Sequence, residues 1–514
     1  MGRQGVIVAT KAISGIKARP ATGSSLARWW PLALIALLVL ALRLPTFGNP
    51  LLDLDEQFYL LVGDRLLHGQ LPYVDLWDRK PVGLFVLYAA IRLLGGAGIV
   101  QYQLVATGFV IVTAWLIRAM ARRHGGEGAA IVGAVGYVLA LNILHGAGGQ
   151  TAVFYNAFTA FAAWCTFRAN DATSSRAVLR LALAAMVALG LAIQIKYTVV
   201  AEGAFLGCWF LYRLVVTGAR RGHIVAMGTA MLAVALLPTA LALAWYAAIG
   251  HLADFVFANF VSIFHRHAFP AAFRHRQLAE VAACGGGLLA AALIGLVRLR
   301  QAVPIAARAD WALLAGWLAS ALCGFAMLGD VFSCYALPVA LPAALAGAWA
   351  LRGGRWGFVA GCLMLGWPLL FTPASYFVAR QSGGATDRMV GALAPYVSGH
   401  CLYVYDGPSI LYLRTGACAP TRFLFPHHLV NAAEADALGV DPLAEERRIL
   451  ASRPGAIVTA SRAVDPVVAA GPRALVQAAL ARDYVLVDRV PTIDRTFLIW
   501  ARRDLRAERA QAHP

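Results

Sequence analysis

Acidic residues are scarce in this sequence of 514 residues. It contains 26 Asp and Glu against 44 Lys and Arg, and only 14% of its residues are charged. Soluble domains carry roughly 25% charged residues. Hydrophobic residues make up 60% of the chain, and the mean hydropathy is +0.67. This composition excludes an ordinary soluble protein and predicts an α-helical polytopic membrane protein.

The excess of basic residues gives a net charge of +18. Most Lys and Arg residues separate apolar segments, which is the distribution that places cytoplasmic loops in membrane proteins. We therefore expect membrane lipids as neighbours and no nucleic acid as a partner.

Several motifs are missing. The sequence has no P-loop, no metalloprotease motif and no CxxC pair, so nothing indicates a nucleotide pocket or a zinc site. We expect no cofactor; a divalent metal is the alternative that the residues do not favour. Six of the eight cysteines lie in or beside apolar segments. Cys401 and Cys418 lie in a polar region, and we predict a disulfide between them if that region is exported.

The apolar pattern divides the chain into three parts. Residues 1–28 are basic and are predicted to be cytoplasmic. Residues 29–378 form a transmembrane domain whose first external loop is 48–99, and residues 379–514 form a small extracytoplasmic α/β domain. The segment Pro81–Leu94 is too short to span a bilayer, and counting it as interfacial places every later basic cluster inside. Eleven spans are predicted, at 29–47, 100–121, 127–145, 151–168, 177–195, 197–216, 224–249, 278–299, 309–328, 334–351 and 356–378.

The few acids concentrate in the first external loop, where six of them lie between Leu52 and Pro81. Asp55 and Glu56 open a helical stretch. Adjacent helical residues do not share a face, so one carboxylate of the pair can enter a cleft and take a proton from a hydroxyl acceptor. The alternative is a pair of solvated acids that cap the helix.

A cationic pair closes the same loop. Arg79 and Lys80 precede Pro81, a residue favoured at the start of a helix, and cations beside free backbone N–H groups suit a phosphate. Anchoring at the membrane interface is the alternative. A salt-bridge network with Asp75 and Asp78 would weaken the phosphate interpretation.

A second external loop, Gly250–Gln277, is basic and aromatic. Its residues His265, Arg266 and His267 are predicted to contact a headgroup or phosphate, with metal binding by the histidines as the less favoured alternative. Tyr335 opens the apolar run YALPVALP. It is equally explained as a substrate contact or as an interfacial aromatic.

These features together resemble a known family. An Asp-Glu pair after the first span, an amphipathic helix at Gln57–Leu67, the motif WDRKP and the late YALPVALP run are similar to family-C (GT-C) glycosyltransferases. The protein O-mannosyltransferases and lipid A aminoarabinose transferases are the most similar group. The resemblance covers most of the membrane region, and the C-terminal domain matches only in kind.

The resemblance implies transfer of a sugar from a polyprenyl-phosphate donor, with inversion, to an acceptor outside the membrane. Asp55 matches the catalytic acid, with Glu56 in support, Lys80 matches the lysine that meets the donor phosphate, and Tyr335 matches a donor-contacting tyrosine. Tyr59 and Asn156 are further expected substrate contacts.

Two departures argue against a bound metal. Arg79 stands where the aminoarabinose pattern has a glutamate, and Asn156 falls near the second-loop acid of some relatives.

The sequence thus predicts an inverting glycosyltransferase of a bacterial inner membrane. Its acceptor would be a periplasmic lipopolysaccharide, glycolipid, polysaccharide or protein. A transporter or flippase for a lipid-linked glycan is the alternative, but it would place functional charges within the spans, where Glu202 is a rare acid. A non-catalytic scaffold would leave the first-loop acids unexplained.

Overall fold

The structure is a computed structural model that describes residues 25–302 and 308–512. Residues 1–24 of the predicted cytoplasmic segment lie outside the described residues. The helices of the first 382 residues form a bundle. They are α1 (Ser25–Arg43), α2 (Leu54–Leu67), α3 (Val82–Arg92), α4 (Ile99–Leu141), α5 (Thr151–Asn170), α6 (Ser175–Ile193), α7 (Val200–Val216), α8 (Arg221–Ala248), α9 (Leu252–Val256), α10 (Ala271–Ala302), α11 (Arg308–Ala326), α12 (Leu337–Ala350), α13 (Gly354–Gly361), α14 (Trp367–Leu369) and α15 (Thr372–Ser382).

Nine helices in the described ranges are long and apolar enough to cross a membrane. One of them, Ile99–Gly146, is 48 residues long, and it breaks at Gly126, where φ is 77°. Its two arms are two of the predicted spans. Helix α5 is 20 residues long and almost wholly buried; polar residues such as Asn156 and Thr159 make it less apolar than the others. All eleven predicted segments are therefore helical, and the polytopic fold is confirmed.

Two short helices carry the first loop. Asp53 accepts a hydrogen bond from the Asp55 backbone N–H at 2.9 Å and begins α2, as expected of an N-cap aspartate. Helix α3 has 11 residues, too few to span a bilayer. The two helices pack closely because Gly63 has no side chain: a Cβ there would lie 2.7 Å from the backbone N of Ala89.

Basic residues join several helix ends on one face of the bundle. Arg123, beside the break in α4, contacts Asp171 at the end of α5 and Asp310 at the start of α11 at 2.8 and 2.9 Å. Arg118 pairs with Glu127 across the break. These ends belong to the segments that the charge bias predicts to lie inside, and the first loop packs at the opposite ends of the same helices.

The C-terminal domain is built on a four-stranded sheet of order β1-β2-β4-β3, in which β1 pairs with β2 in parallel and the other pairs are antiparallel. The four strands fall on the runs CLYVYD, AIVTAS, YVLVD and TFLIWAR, whose composition is typical of β-strands. The predicted boundary at residue 379 falls within α15, and the next helix packs on the sheet. The elements are α16 (Ala385–Val397), β1 (Leu402–Val404), α17 (Ile410–Thr415), α18 (His427–Val430), α19 (Pro442–Ala451), β2 (Ala456–Ala460), α20 (Ala470–Asp483), β3 (Tyr484–Pro491), β4 (Thr496–Arg502) and α21 (Arg503–Ala512).

This domain packs directly on the first loop. The Phe58 ring of α2 contacts the Phe425 ring at a centroid distance of 5.4 Å, and the Trp77 backbone N–H donates to the Arg422 carbonyl at 3.0 Å. Cys401 and Cys418 are joined in a disulfide, with their Cα atoms 4.4 Å apart. The acidic loop therefore lies between the helical bundle and the C-terminal domain.

Candidate active site

The adjacent residues Asp55 and Glu56 point in different directions. The Asp55 side chain is half-buried and accepts a hydrogen bond from Gln150 Nε2 at 3.1 Å. Glu56 is fully buried in the bundle. Its carboxylate faces Gly148 so closely that a Cβ there would lie 1.9 Å from Glu56 Oε2. Only one carboxylate of the pair is therefore directed to the cleft, and the structure does not bring Glu56 beside Lys80.

The environments of the two carboxylates differ as much as their directions. Burial would raise the pKa of Asp55, but Lys80, the Gln150 amide, His427 and Lys196 together hold that pKa below its ordinary value. Burial and the charge of Asp53 raise the pKa of Glu56 to about 8. These opposite shifts favour the ionised form of Asp55 and the protonated form of Glu56 at neutral pH.

Asp53 is the third acid of this group. Burial and the neighbouring charge of Asp55 raise its pKa to about 6. Because one of its oxygens holds the N-terminus of α2, Asp53 serves first as the helix cap. Charge alone does not distinguish these three acids, because their difference comes from what packs around them.

Lys80 is the cation that acts most strongly on Asp55. Its Nζ is 5.4 Å from the centroid of the Tyr59 ring, and the Tyr73 hydroxyl donates to its backbone carbonyl at 2.7 Å. Burial would lower the pKa of Lys80, but Asp55 and Asp78 outweigh burial and raise it. The ammonium group is thus charged and half-buried, with an aromatic face beneath it.

A second lysine joins this group. Lys196, in the turn before α7, has its Nζ 4.2 Å from the centroid of the Tyr335 ring. Burial, assisted by the charge of Lys80, lowers the pKa of Lys196 to about 8. The structure therefore brings together three expected site residues, Asp55, Lys80 and Tyr335, and adds Lys196, which the sequence marks only as an isolated cation between two apolar segments.

The two predicted phosphate arginines are already engaged. Arg79 forms an ion pair with Glu434 of the C-terminal domain. Arg266 contacts Glu434 at 2.7 Å and Asp330 at 2.5 Å. Among the described residues, no comparable ion pair neutralises Lys80. The structure thus brings Arg79 and Arg266 together, but each arginine faces a carboxylate that belongs to this chain.

The remaining expected contacts have different surroundings. His265 is exposed, and the exposed His267 pairs with Asp436 at 2.7 Å. Asn156 donates to the Tyr137 hydroxyl at 3.1 Å and to the Leu337 carbonyl at 3.2 Å within the bundle core. The described residues contain no cluster of three or more His, Cys, Asp or Glu side chains that could hold a metal ion.

A cavity of about 330 Å³ opens beside the start of α2. One wall is the first loop, and the other is formed by the C-terminal domain, including the turn between β3 and β4. Polar lining residues from both walls are Asp53, Gln57, Arg462, Thr492, Asp494 and Arg495. The cavity therefore lies beside Asp53, between the first loop and the C-terminal domain.

Solved structures share this arrangement of helices and domain. ArnT from Cupriavidus metallidurans in the apo state matches with a TM-score of 0.64 at 15% identity, over 92% of this chain and 98% of that chain. The same protein bound to undecaprenyl phosphate matches with a TM-score of 0.59 at 15% identity, over 93% and 98%. This chain has the GT-C fold of ArnT. No protein-family model and no curated protein matches the sequence.

Within the GT-C fold, the residues that sequence reasoning missed come from separate elements. Gln150 precedes α5, Lys196 precedes α7, and His427 and Glu434 belong to the C-terminal domain. Polar residues that interrupt apolar runs are the only sequence signal for the first two. For His427 and Glu434 there is none, because their proximity to the first loop depends on domain packing.

Proposed function

We propose that this protein is an integral membrane glycosyltransferase that moves a sugar from a polyprenyl-phosphate donor to a hydroxyl-bearing acceptor. The observation that carries the proposal is the ionised Asp55 carboxylate beside the charged Lys80 at the end of a membrane bundle. The GT-C fold supports it, and one ArnT structure is described as bound to undecaprenyl phosphate. The site would open to the periplasm of a bacterial inner membrane.

In this reaction, Asp55 takes the proton of the acceptor hydroxyl while the oxygen of that hydroxyl bonds to the anomeric carbon of the sugar. The bond from that carbon to the phosphate oxygen breaks, and the lipid phosphate leaves with the electron pair of that bond. Because the acceptor oxygen attacks the face opposite to the departing phosphate, the anomeric centre is inverted. Lys80 and Lys196 stabilise the departing phosphate. A bound phosphate offsets their positive field and so strengthens Asp55 as a base.

The cavity beside Asp53 supplies a place for the acceptor. It offers carboxylate, hydroxyl and guanidinium groups, which suit the hydroxyls of a glycan or a lipid headgroup. The acceptor would then reach Asp55 from the C-terminal domain, and the lipid donor would reach Lys80 from the membrane.

The transporter alternative is less well supported by the buried charges. Glu202 accepts a hydrogen bond from Trp317 Nε1 at 2.7 Å. Arg43 donates to the carbonyls of Gly146 and Gly148 at 2.8 and 2.6 Å. Both groups are satisfied by the chain itself, whereas a transport route requires charges that face a passage.

Two substitutions test the proposal because they should fail differently. Asp55→Asn keeps the shape and removes the proton acceptor, so undecaprenyl phosphate binding should survive while sugar transfer falls by roughly 10²-fold or more. Lys80→Ala removes a charge-assisted contact, so binding should weaken roughly tenfold to a hundredfold. Binding is measured on purified protein. Transfer is measured by mass spectrometry of surface glycans after complementing a deletion strain.

Arg122→Ala is the matched control, since Arg122 is exposed and pairs with Glu127 near the break in α4. It should leave binding and transfer unchanged. Normal transfer by Asp55→Asn would refute the catalytic assignment, and unchanged binding by Lys80→Ala would refute the phosphate assignment.

A further inference from the structure

A histidine of the C-terminal domain is held close to the candidate base. Phe425 and His428, which flank His427 closely in sequence, both contact the Phe58 ring, at centroid distances of 5.4 and 6.2 Å. Phe58 lies three residues after Asp55 in α2, so the two side chains share a helix face. The His428 ring also packs on Trp77 at 4.7 Å, three residues before Lys80. The segment around His427 is thus fixed to both halves of the site.

The His427 ring is also held in one orientation. Its Nδ1 is 2.9 Å from Asp465 Oδ1, and the Phe425 ring stacks on it at a centroid distance of 4.9 Å with planes 16° apart. The Asp465 side chain is almost fully buried. A carboxylate at Nδ1 fixes the N–H there and favours a charged imidazolium. Within the described part of the chain, Nε2 has no hydrogen-bond partner, so it is the free end of the ring.

We propose that His427, oriented by Asp465, is a positioning residue that the C-terminal domain supplies to Asp55, and that its positive charge keeps the Asp55 carboxylate ionised. This inference rests on the proposed function, in which Asp55 is the base. It gives the C-terminal domain a direct part in the chemistry, because a base that is protonated before the acceptor binds cannot take the acceptor proton.

The charges around the two groups agree with this role. Burial would lower the pKa of His427, but Asp465, Asp55 and Asp406 outweigh burial and raise it. His427 is also one of the groups that hold the pKa of Asp55 low. The charged and titratable groups that interact with this pair are Lys80, Lys196, Asp53, Asp78, Tyr59, Tyr88, Cys334, Tyr335, His428, Asp406 and Asp465. In the acidic range where Asp55 titrates, His427 carries a full charge, so its removal should be measurable.

The test is the pH at which Asp55 becomes protonated in the full-length protein. Carbodiimides react with protonated carboxyl groups, so the rate at which Asp55 is modified follows its protonation. Labelling with a water-soluble and a membrane-soluble carbodiimide is quantified by peptide mass spectrometry across the acidic range. In His427→Gln, which removes the charge, the labelling midpoint should rise by about one pH unit or more. In His427→Lys, which keeps a charge, it should stay near the wild-type value.

His251→Gln is the matched control, because His251 also pairs with an aspartate, Asp254 at 3.0 Å, but lies at the start of α9 and outside the candidate site. It should leave the midpoint unchanged. Equal midpoints in His427→Gln and His427→Lys, or an unchanged midpoint in His427→Gln, would overturn the proposal. The acid limb of the pH profile of sugar transfer should also move to higher pH in His427→Gln and stay near the wild-type position in His427→Lys. Labelling needs no substrate, so it tests His427 separately from the proposed function. If the midpoint shifts in His427→Gln but the wild-type protein transfers no sugar, the proposed function is contradicted and the role of His427 stands.

Discussion

At the scale of single residues, burial separates side chains that look alike in the sequence. Asp55 and Glu56 are neighbours with the same functional group, yet one faces a lysine and the other faces the bundle. Charge alone gives both a role as base. Burial decides between them, because the fully buried Glu56 carboxyl keeps its proton although the charge of Arg43 favours its ionisation.

The raised pKa of Glu56 predicts a pH-dependent effect of Glu56→Gln on stability. An unfolded Glu56 ionises near 4.5 and the folded one near 8, so the folded state holds one more proton between these values. The free energy of unfolding of the wild type then falls as the pH rises through that range, by up to about 1.4 kcal/mol per pH unit. Glutamine has no such proton. In thermal unfolding in detergent, Glu56→Gln should gain stability relative to wild type from pH 5 to pH 8.

Glu445 provides the control for this measurement. Burial opposes its ionisation, but Arg448 and Thr421 outweigh burial and hold the pKa of Glu445 below its ordinary value. Glu445→Gln should therefore show no gain with rising pH. A stability difference between Glu56→Gln and wild type that stays constant from pH 5 to pH 8 would show that Glu56 is ionised in the folded protein.

At the scale of elements, a short connection between two helices positions a site residue. The segment between α4 and α5 passes over Glu56, receives two hydrogen bonds from Arg43, and ends at Gln150, which contacts Asp55. Gly148 lies at the closest approach. The missing side chain therefore lets the segment carry Gln150 to the base.

Gly148→Ala should disturb this contact. The added methyl group would overlap the Glu56 carboxylate, and overpacking of this kind costs about 1–3 kcal/mol. Thermal stability should fall, and sugar transfer should fall further than stability because Gln150 moves. Gly128→Ala is the control, since a Cβ at Gly128 in α4 meets nothing within 4 Å. An unchanged melting temperature in Gly148→Ala would show that the segment is free to move aside.

At the scale of the whole molecule, ion pairs define two ends of the bundle. Arg123 connects the break in α4 with the ends of α5 and α11, while the first loop and the C-terminal domain meet at the other end. Combined with the distribution of basic residues, this arrangement predicts that the site and the C-terminal domain lie outside the cytoplasm.

Reporter fusions test this orientation. A phosphatase that is active only in the periplasm should be active when fused after Asp64 or after Val378, and inactive when fused after Arg308. Each fusion is checked for equal expression by immunoblotting. An active fusion after Arg308 with an inactive one after Val378 would reverse the orientation that we propose.

The sequence by itself determined the membrane fold, because apolar length and the position of basic residues are local properties that each segment carries alone. It also indicated Asp55 and Lys80, because the concentration of acid marks the first loop, and its Asp-Glu pair and WDRKP motif resemble those of the GT-C family. The four strands of the C-terminal domain were predictable as well, because a strand-forming composition is also a local property of each segment.

Only the tertiary structure decided which charges remain available. Arg79 and Arg266 look like free cations in the sequence, but they converge on Glu434, more than 150 residues away. Lys196, Gln150 and His427 reach Asp55 from three separate elements. Electrostatic energy depends on distance in space and on burial, and neither is encoded in spacing along the chain. The candidate site could therefore be proposed from the sequence, but the partners of its acid and cations could not.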